Sequence, residues 1–239
     1  MDKRILNEKE HGKKIINVSG KVWGWESPAG RERWQRRVIM LTRHIETGMR
    51  VLEIGCGTGE LTKLLQNKNS RIISIDVSFD LIRIAKTKVI SDKIAFLLQD
   101  ACNLGFVANS FDTIIGSSVL HHLEVDKALK EFYRVLKSGG SIFLTEPNMM
   151  NPQMAVQKNI PFLKKIAGES PDETAFLRWS LKKKLERIGF KDIELKNFDF
   201  LHPAIPRAMI PVIRYLGSFM ESLPVIREVA GSIYIKARK

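Results

Sequence analysis

The chain has 239 residues, of which 44% are hydrophobic and 27% charged, with a formal net charge of +13. That length and apolar content suit one large domain with its own core and exclude a disordered polymer. Two cysteines, Cys56 and Cys102, exclude a disulfide scaffold and point to a reducing compartment.

No apolar run approaches the roughly 18–20 residues of a membrane span, and the opening Met1-Asp2-Lys3-Arg4 is unlike a secretory signal. A cytoplasmic location is therefore expected. The charge is uneven: residues 1–50 carry +6, residues 51–150 are neutral, and residues 151–239 carry +7. A neutral centre with basic flanks suits a fixed central ligand and a flank that attracts an anionic partner.

Residues 31–46 suggest a helix with Trp34, Val38, Leu41 and Ile45 on one side. Val51 to Ile54 reads as a strand ended by a glycine cluster, and Glu60 to Leu65 as a short helix. Arg71 to Asp76 is the next strand, followed by helical spacing at Leu81, Ile82, Ala85 and Val89. Ile94 to Leu98 and Phe111 to Gly116 are two further strands. Ala128, Leu129, Phe132, Val135 and Leu136 mark a helix that Gly139-Gly140 is expected to stop, before a strand over Ser141 to Glu146.

Pro147 to Pro171 reads as an insertion. A helix is expected from Thr174 to Ile188, closed by Gly189, then a strand to Phe198. Prolines at 203, 206, 211 and 224 punctuate short helices, and Gly231 to Ile235 forms a last strand. Near-continuous apolar strands alternating with helices predict an α/β fold: a doubly wound, mostly parallel sheet with its ligand at the carboxyl ends of the strands. The domain division that follows is an N-terminal cap and helix over 1–46 and a Rossmann-like domain over 47–239. Residues 147–173 and 200–227 are lid or substrate-side insertions.

The run Glu53-Ile54-Gly55-Cys56-Gly57-Thr58-Gly59 follows a strand and opens a helix. Glycines there let a ligand approach the backbone. The spacing departs from the dinucleotide pattern G-x-G-x-x-G, because the third glycine comes one residue early. Glu53 also places a carboxylate that repels phosphates and suits an ammonium. Asp76 ends the second strand, where an acid can accept ribose hydroxyls, and Asp100 follows the third, where one can take an adenine amine. Together they ask for an amino acid, a ribose and an adenine in one crevice.

The run Val51–Thr62 resembles motif I of class I S-adenosylmethionine-dependent methyltransferases. Phe111 to Leu123 and Leu136 to Phe143 are similar to the fourth-strand and fifth-strand motifs of the small-molecule branch, which includes the ubiquinone/menaquinone-biosynthesis methyltransferases. The resemblance implies a seven-stranded sheet ordered 3-2-1-4-5-7-6 with strand seven antiparallel, and S-adenosyl-L-methionine as cofactor. It places Glu53, Gly55, Cys56, Gly57 and Gly59 around the methionine part, Asp76 and Val77 at the ribose, Asp100 and Ala101 at the adenine, and Ser117 beside the sulfonium. It also implies that the tryptophan-rich segment 22–34 closes over the cofactor, with Trp25 facing the acceptor.

A base is needed only where the acceptor must lose a proton. His121 and Glu146 are the candidates, with His122 beside the substrate, although histidines here can simply cap a turn. Adjacent histidines point apart and no spaced ligand set supports a metal, so none is expected. Cys56 reads as a packing residue.

The acceptor is expected to be small or lipid-like, methylated at oxygen or carbon. Nucleic acid is disfavoured, because Glu146-Pro147-Asn148 stands where a base-directed signature would. An RNA methyltransferase and a noncatalytic S-adenosylmethionine-binding module are the alternative readings. The apolar residues of 203–226, edged by Arg207, Arg214 and Arg227, fit either the packing face of a lid helix, the simpler reading, or peripheral contact with an anionic membrane.

Overall fold

A computed structural model describes residues 3–16, 24–166 and 173–239. Its centre is a seven-stranded sheet of β1 (Arg50–Ile54), β2 (Arg71–Asp76), β3 (Ile94–Leu98), β4 (Phe111–Ser117), β5 (Leu136–Pro147), β6 (Lys191–Phe198) and β7 (Ser232–Arg238). The order is β3-β2-β1-β4-β5-β7-β6, with β7 antiparallel to both its neighbours, as the resemblance implies.

The central strands are buried on both faces because they alternate two sets of apolar side chains, while the edge strands β3 and β6 stay largely open. Leu52, Ile114, Ile142, Leu144, Ile233 and Ile235 share one core with α5 (Val125–Val135) and α8 (Arg178–Ile188), through Leu129, Phe132, Leu181 and Leu185. Val51, Ile115, Phe143 and Tyr234 face the other way, against Leu41 of α2 (Pro28–Thr42) and Leu61 and Leu65 of α3 (Glu60–Leu65).

Helix α1 (Lys3–Ile15) lies against α4 (Phe79–Lys88), and α6 (Pro152–Asn159) and α7 (Pro161–Ile166) follow β5. Residues 22 and 23 of the tryptophan-rich segment, and 167–172 of the insertion after β5, lie outside the described residues.

Three boundaries differ from expectation. Helix α5 stops at Val135, not at the glycine pair: Leu136 is fully buried and pairs with Phe111, so Gly139 and Gly140 fall inside β5. Gly139 takes φ +78°, which a glycine reaches without steric cost. Helix α8 begins only at Arg178, because Phe176 forms a parallel bridge with Asn148 and holds the preceding residues extended. Ser27, not a residue near 31, starts α2 by accepting the Gly30 N–H on its hydroxyl at 2.9 Å.

The last helix, α9 (Ile210–Ser222), departs from the simpler reading of the proline-punctuated segment. Ile210 is buried and Ile213 packs beside it against Ala29 and Leu201. Val212, Tyr215, Leu216 and Phe219, at helical spacing on the opposite side, are exposed, Tyr215 by 78%. The helix is apolar on both sides and only one side is covered. No helix among the described residues is long and apolar enough to cross a membrane.

Candidate functional site

The turn after β1 is braced by the next strand. Cys56 donates its N–H to Ile75 O at 3.0 Å, and Gly57 donates to Asp76 Oδ2 at 2.9 Å. Asp76 Oδ1 accepts the Ser78 N–H at 2.9 Å. Burial raises the Asp76 carboxyl, and the two N–H donors oppose that. Gly55, Gly57 and Gly59 all have positive φ. A Cβ at Gly55 would sit 2.4 Å from Val119 Cγ2, whereas one at Gly57 would meet no protein atom within 4 Å. Gly55 is thus demanded by packing, and Gly57 borders open space. Cys56 is buried, and burial pushes its thiol up.

Glu53 is 1% exposed, on the sheet face opposite Leu52. It pairs in register with Ser74, and its Oε2 accepts the hydroxyls of Ser74 and Thr62, both at 2.6 Å. Oε1 makes no hydrogen bond among the described residues. Burial pushes this carboxyl up to about 7 against the pull of the two hydroxyls.

A cavity of about 630 Å³ opens at these carboxyl ends, lined by Glu53, the 54–58 turn, Asp76, Val77, Ala101, Ser117 and Val119. Its roof is α1, through Arg4, Glu8, His11 and Gly12. Asp100 lies outside this lining: both its oxygens take the Arg4 Nη2, at 2.9 and 2.8 Å, and Oδ1 also takes the Cys102 N–H. The acid after β3 therefore ties down the helical roof, a partner that nothing in the local sequence announces.

A second cavity, about 590 Å³, shares with the first the side chains of His11, Trp25, Trp34, Ser117, Ser118 and His122. It continues to Arg33, Arg37, His121, Lys158, Glu173 and Asp199. Ser117 pairs in register with Thr145, hydroxyl to hydroxyl at 3.2 Å, and Ser118 has φ +54°, which turns the chain at the shared wall.

Contrary to the expectation that adjacent histidines point apart, the two rings meet at this wall, with centroids 4.2 Å apart, and differ in their partners. Glu146 is fully buried and lines neither cavity. Its Oε1 accepts the N–H groups of Val119 (3.0 Å) and Leu120 (2.8 Å), and its Oε2 lies 2.7 Å from His121 Nδ1. Burial pushes Glu146 up to about 7 and His121 well below the usual histidine range, so the imidazole leans neutral while Glu146 keeps carboxylate character at neutral pH.

His121 Nε2 is left on the side of Glu173 Oε2, 3.8 Å away. His122 turns to α1, with Nδ1 3.0 Å from Glu8 Oε2 and its ring 5.9 Å from that of His11. Burial lowers His122, but Glu8 and Glu173 outweigh it and the net shift is upward.

Donor atoms of His121, His122 and Glu173 lie within 4.8 Å of one another, close enough to hold a metal ion. Lys158 Nζ stands 2.9 Å from Glu173 Oε2 and already supplies a cation there. Sequence reasoning missed Glu173, Lys158, Arg33, Arg37 and the α1 roof, because their partners are brought together only by the fold.

The first cavity fits S-adenosylmethionine. Its volume falls in the range of small-molecule sites. Gly57 leaves room for a ligand against the backbone, Glu53 keeps one oxygen for an ammonium, and each Asp76 oxygen retains a lone pair for a ribose hydroxyl.

Residues 52–144 match the family model described as a methyltransferase domain. The ubiquinone/menaquinone biosynthesis C-methyltransferase of Methylococcus capsulatus is 28% identical over 67% of this chain and 74% of its own length. The demethylmenaquinone methyltransferase of Staphylococcus haemolyticus is 30% identical over 68% of this chain and 77% of its own. Among solved structures, the N-methyltransferase NodS of Bradyrhizobium japonicum, in complex with S-adenosylhomocysteine, shares the fold. Its TM-score is 0.66 at 17% identity, over 98% of both chains. A donor-sized cavity at the glycine turn, the sheet order and these relatives agree: the chain belongs to the S-adenosylmethionine-dependent methyltransferase family that includes the demethylmenaquinone methyltransferases.

Proposed function

We propose that this enzyme methylates carbon or oxygen of a hydroxylated, lipid-like ring of the quinol class, held in the second cavity. The observation that carries this reading is the His121–Glu146 pair. A neutral imidazole, fixed through Nδ1 by a buried carboxylate, leaves Nε2 as a proton acceptor in the acceptor compartment. The names of the relatives support a quinone-related acceptor. The exposed apolar face of α9 supports a lipid-like one, since Leu201 both packs on this helix and lines the second cavity.

In the first cavity Glu53 would hold the ammonium of the cofactor, Asp76 and Val77 the ribose, Ala101 the adenine, and Gly55, Cys56 and Gly57 the backbone bed of the methionine part, while Gly59, which faces Ala85 and not the cavity, would shape the turn. The cofactor supplies an activated methyl group on its sulfonium. Ser117 and Ser118, on the wall common to both cavities, would border the transfer path. Trp25 would cover the acceptor ring, and His122 would close the compartment toward α1.

His121 Nε2 takes the hydroxyl proton as that oxygen, or the ring carbon beside it, attacks the methyl group in line. For carbon attack the proton on the methylated ring carbon would then leave to solvent, the imidazolium would return its proton to the ring oxygen as aromaticity is regained, and S-adenosylhomocysteine would be the leaving group. Holding the acceptor in line is the larger contribution, about 7–11 kcal/mol in favourable cases.

The test is turnover with S-adenosylmethionine and a panel of short-tailed quinols, a catechol, a primary amine and transfer RNA, products being identified by mass. Methylation of the quinols is expected. Methylation of the amine or RNA alone would overturn the reading.

A further inference from the structure

Arg33 and Arg37 lie one turn apart on α2 and both line the second cavity. They share one carboxylate: Asp199 Oδ2 is 2.7 Å from Arg33 Nε and 3.6 Å from Arg37 Nη2. The other acids beside them are taken. Glu221 holds Arg36 and accepts the Asp199 N–H, and Glu32 holds Arg214. Glu146, which also acts on Arg37, is occupied by His121 and the backbone. This wall of the cavity therefore carries two guanidinium groups against one available anion.

Arg37 is 3% exposed. Its Nη2 donates to the Ser232 hydroxyl, and its Nε and Nη1 have no hydrogen-bond partner among the described residues. Burial pulls it down to about 10, which leaves it charged at neutral pH. Arg33 uses only Nε; its forked terminal nitrogens make no hydrogen bond among the described residues. Both guanidinium groups sit over the Trp25 ring, at 5.4 and 5.3 Å, and Phe198 stacks on Arg37 at 5.5 Å. The aromatic rings hold the forks in place, so little entropy is lost when a ligand docks. A buried cation short of a counterion is costly, and an incoming anion removes that cost.

We propose that Arg33 and Arg37 form an anion subsite in the acceptor cavity, which binds a negatively charged oxygen group of the acceptor and turns that end toward α2. This rests on the reading of the second cavity as the acceptor compartment. It adds a requirement to that reading: the acceptor carries an ionised carboxylate beside its ring hydroxyl, on the side that faces α2.

The probes are 1-hydroxy-2-naphthoate and 1-naphthol, which differ by one carboxylate, titrated calorimetrically into the protein saturated with S-adenosylhomocysteine. The carboxylate is expected to bind about tenfold tighter, and Arg33→Gln should reduce that preference to twofold or less. Equal affinity of the two probes for the unmodified protein overturns the subsite, with no variant needed. An undiminished preference in a folded Arg33→Gln protein overturns it as well. If neutral quinols are methylated but no anion preference is seen, the subsite falls and the quinol reading stands. Anion preference with no quinol turnover keeps the subsite and removes the quinol reading.

Discussion

His121 Nδ1 lies 2.7 Å from Glu146 Oε2, while the other oxygen of the same carboxylate accepts the backbone N–H groups of Val119 and Leu120. One buried side chain thus fixes both the turn after β4 and the orientation of the imidazole it carries. Glu146 lines neither cavity, so its place is behind the imidazole.

Two substitutions separate these tasks. His121→Ala should lower kcat about a hundredfold and leave the S-adenosylhomocysteine Kd unchanged, by calorimetry. In Glu146→Gln the amide can still accept from the backbone, but its NH₂ faces Nδ1 and forces the proton onto Nε2. kcat should fall as in His121→Ala with the Kd again unmoved, whereas a purely structural role would change both. Glu146→Ala strands three buried N–H groups, those of Val119, Leu120 and His121, and should cost about 1–3 kcal/mol for each of the two shorter bonds, read as a lowered denaturation midpoint.

The glycines of the turn should respond differently. Gly57→Ala places its methyl in open space beside the first cavity, so cofactor affinity should drop more than tenfold with only a small loss of stability, from the positive φ. Gly55→Ala drives a methyl against Val119, and thermal stability should fall before binding is measured at all. Paired melting and calorimetric curves check both.

Glu53 should make stability pH-dependent. Its folded pKa, about 7, lies above its ordinary value near 4.5. The folded state therefore binds the proton more tightly, and the contribution is fully present below about pH 4.5 and lost as pH rises through about 7. The ceiling is roughly 3 kcal/mol. Urea denaturation at pH 5 and pH 8 should show the native protein losing stability relative to Glu53→Gln; a constant difference between the two proteins would contradict this.

Arg4→Ala should free the roof of the first cavity. Arg4 pairs with Asp100 and Glu8 with His122, and both pairings tie α1 to the domain. Amide hydrogen exchange over residues 3–15 should quicken severalfold, with no change in the strands, and release of S-adenosylhomocysteine should accelerate in stopped flow.

The exposed side of α9 can be changed without harm to the fold. Tyr215→Ser with Phe219→Ser should shift stability by no more than about 0.5 kcal/mol for each substitution. Sedimentation with phosphatidylglycerol-containing vesicles should show weaker binding than the native protein, and pure phosphatidylcholine vesicles should show little binding of either.

The central strands were legible as short apolar runs whose neighbours alternate between two buried faces, as Ile114 and Ile115 do, whereas their order came from the family resemblance of the glycine turn and the motifs after it. The glycine turn with Glu53 and Asp76 was legible because its chemistry lies within one strand-turn-helix unit and the strand beside it. The helix α1 was not: Lys3–Ile15 is mostly polar with no clear apolar stripe, and its place is set by single polar contacts to residues far along the chain. Ala175-Phe176-Leu177 reads equally well as the start of a helix or as extended chain, and only the bridge to Asn148 decides. Arg33 and Arg37 look like a solvated basic face until Asp199 and Ser232 arrive from beyond β6 and at the start of β7.

Strand β7 follows every other element in chain order, yet it lies between β5 and β6 and brings Ser232 to Arg37. During synthesis, β5 therefore waits with one edge unpaired until residues 232–238 have left the ribosome. The glycine turn and its bracing strands are complete well before that. A nascent chain can in this way assemble the walls of the first cavity early, while the second cavity closes only with β7, and the waiting edge of β5 is where a stalled chain would be most prone to pair with a neighbour.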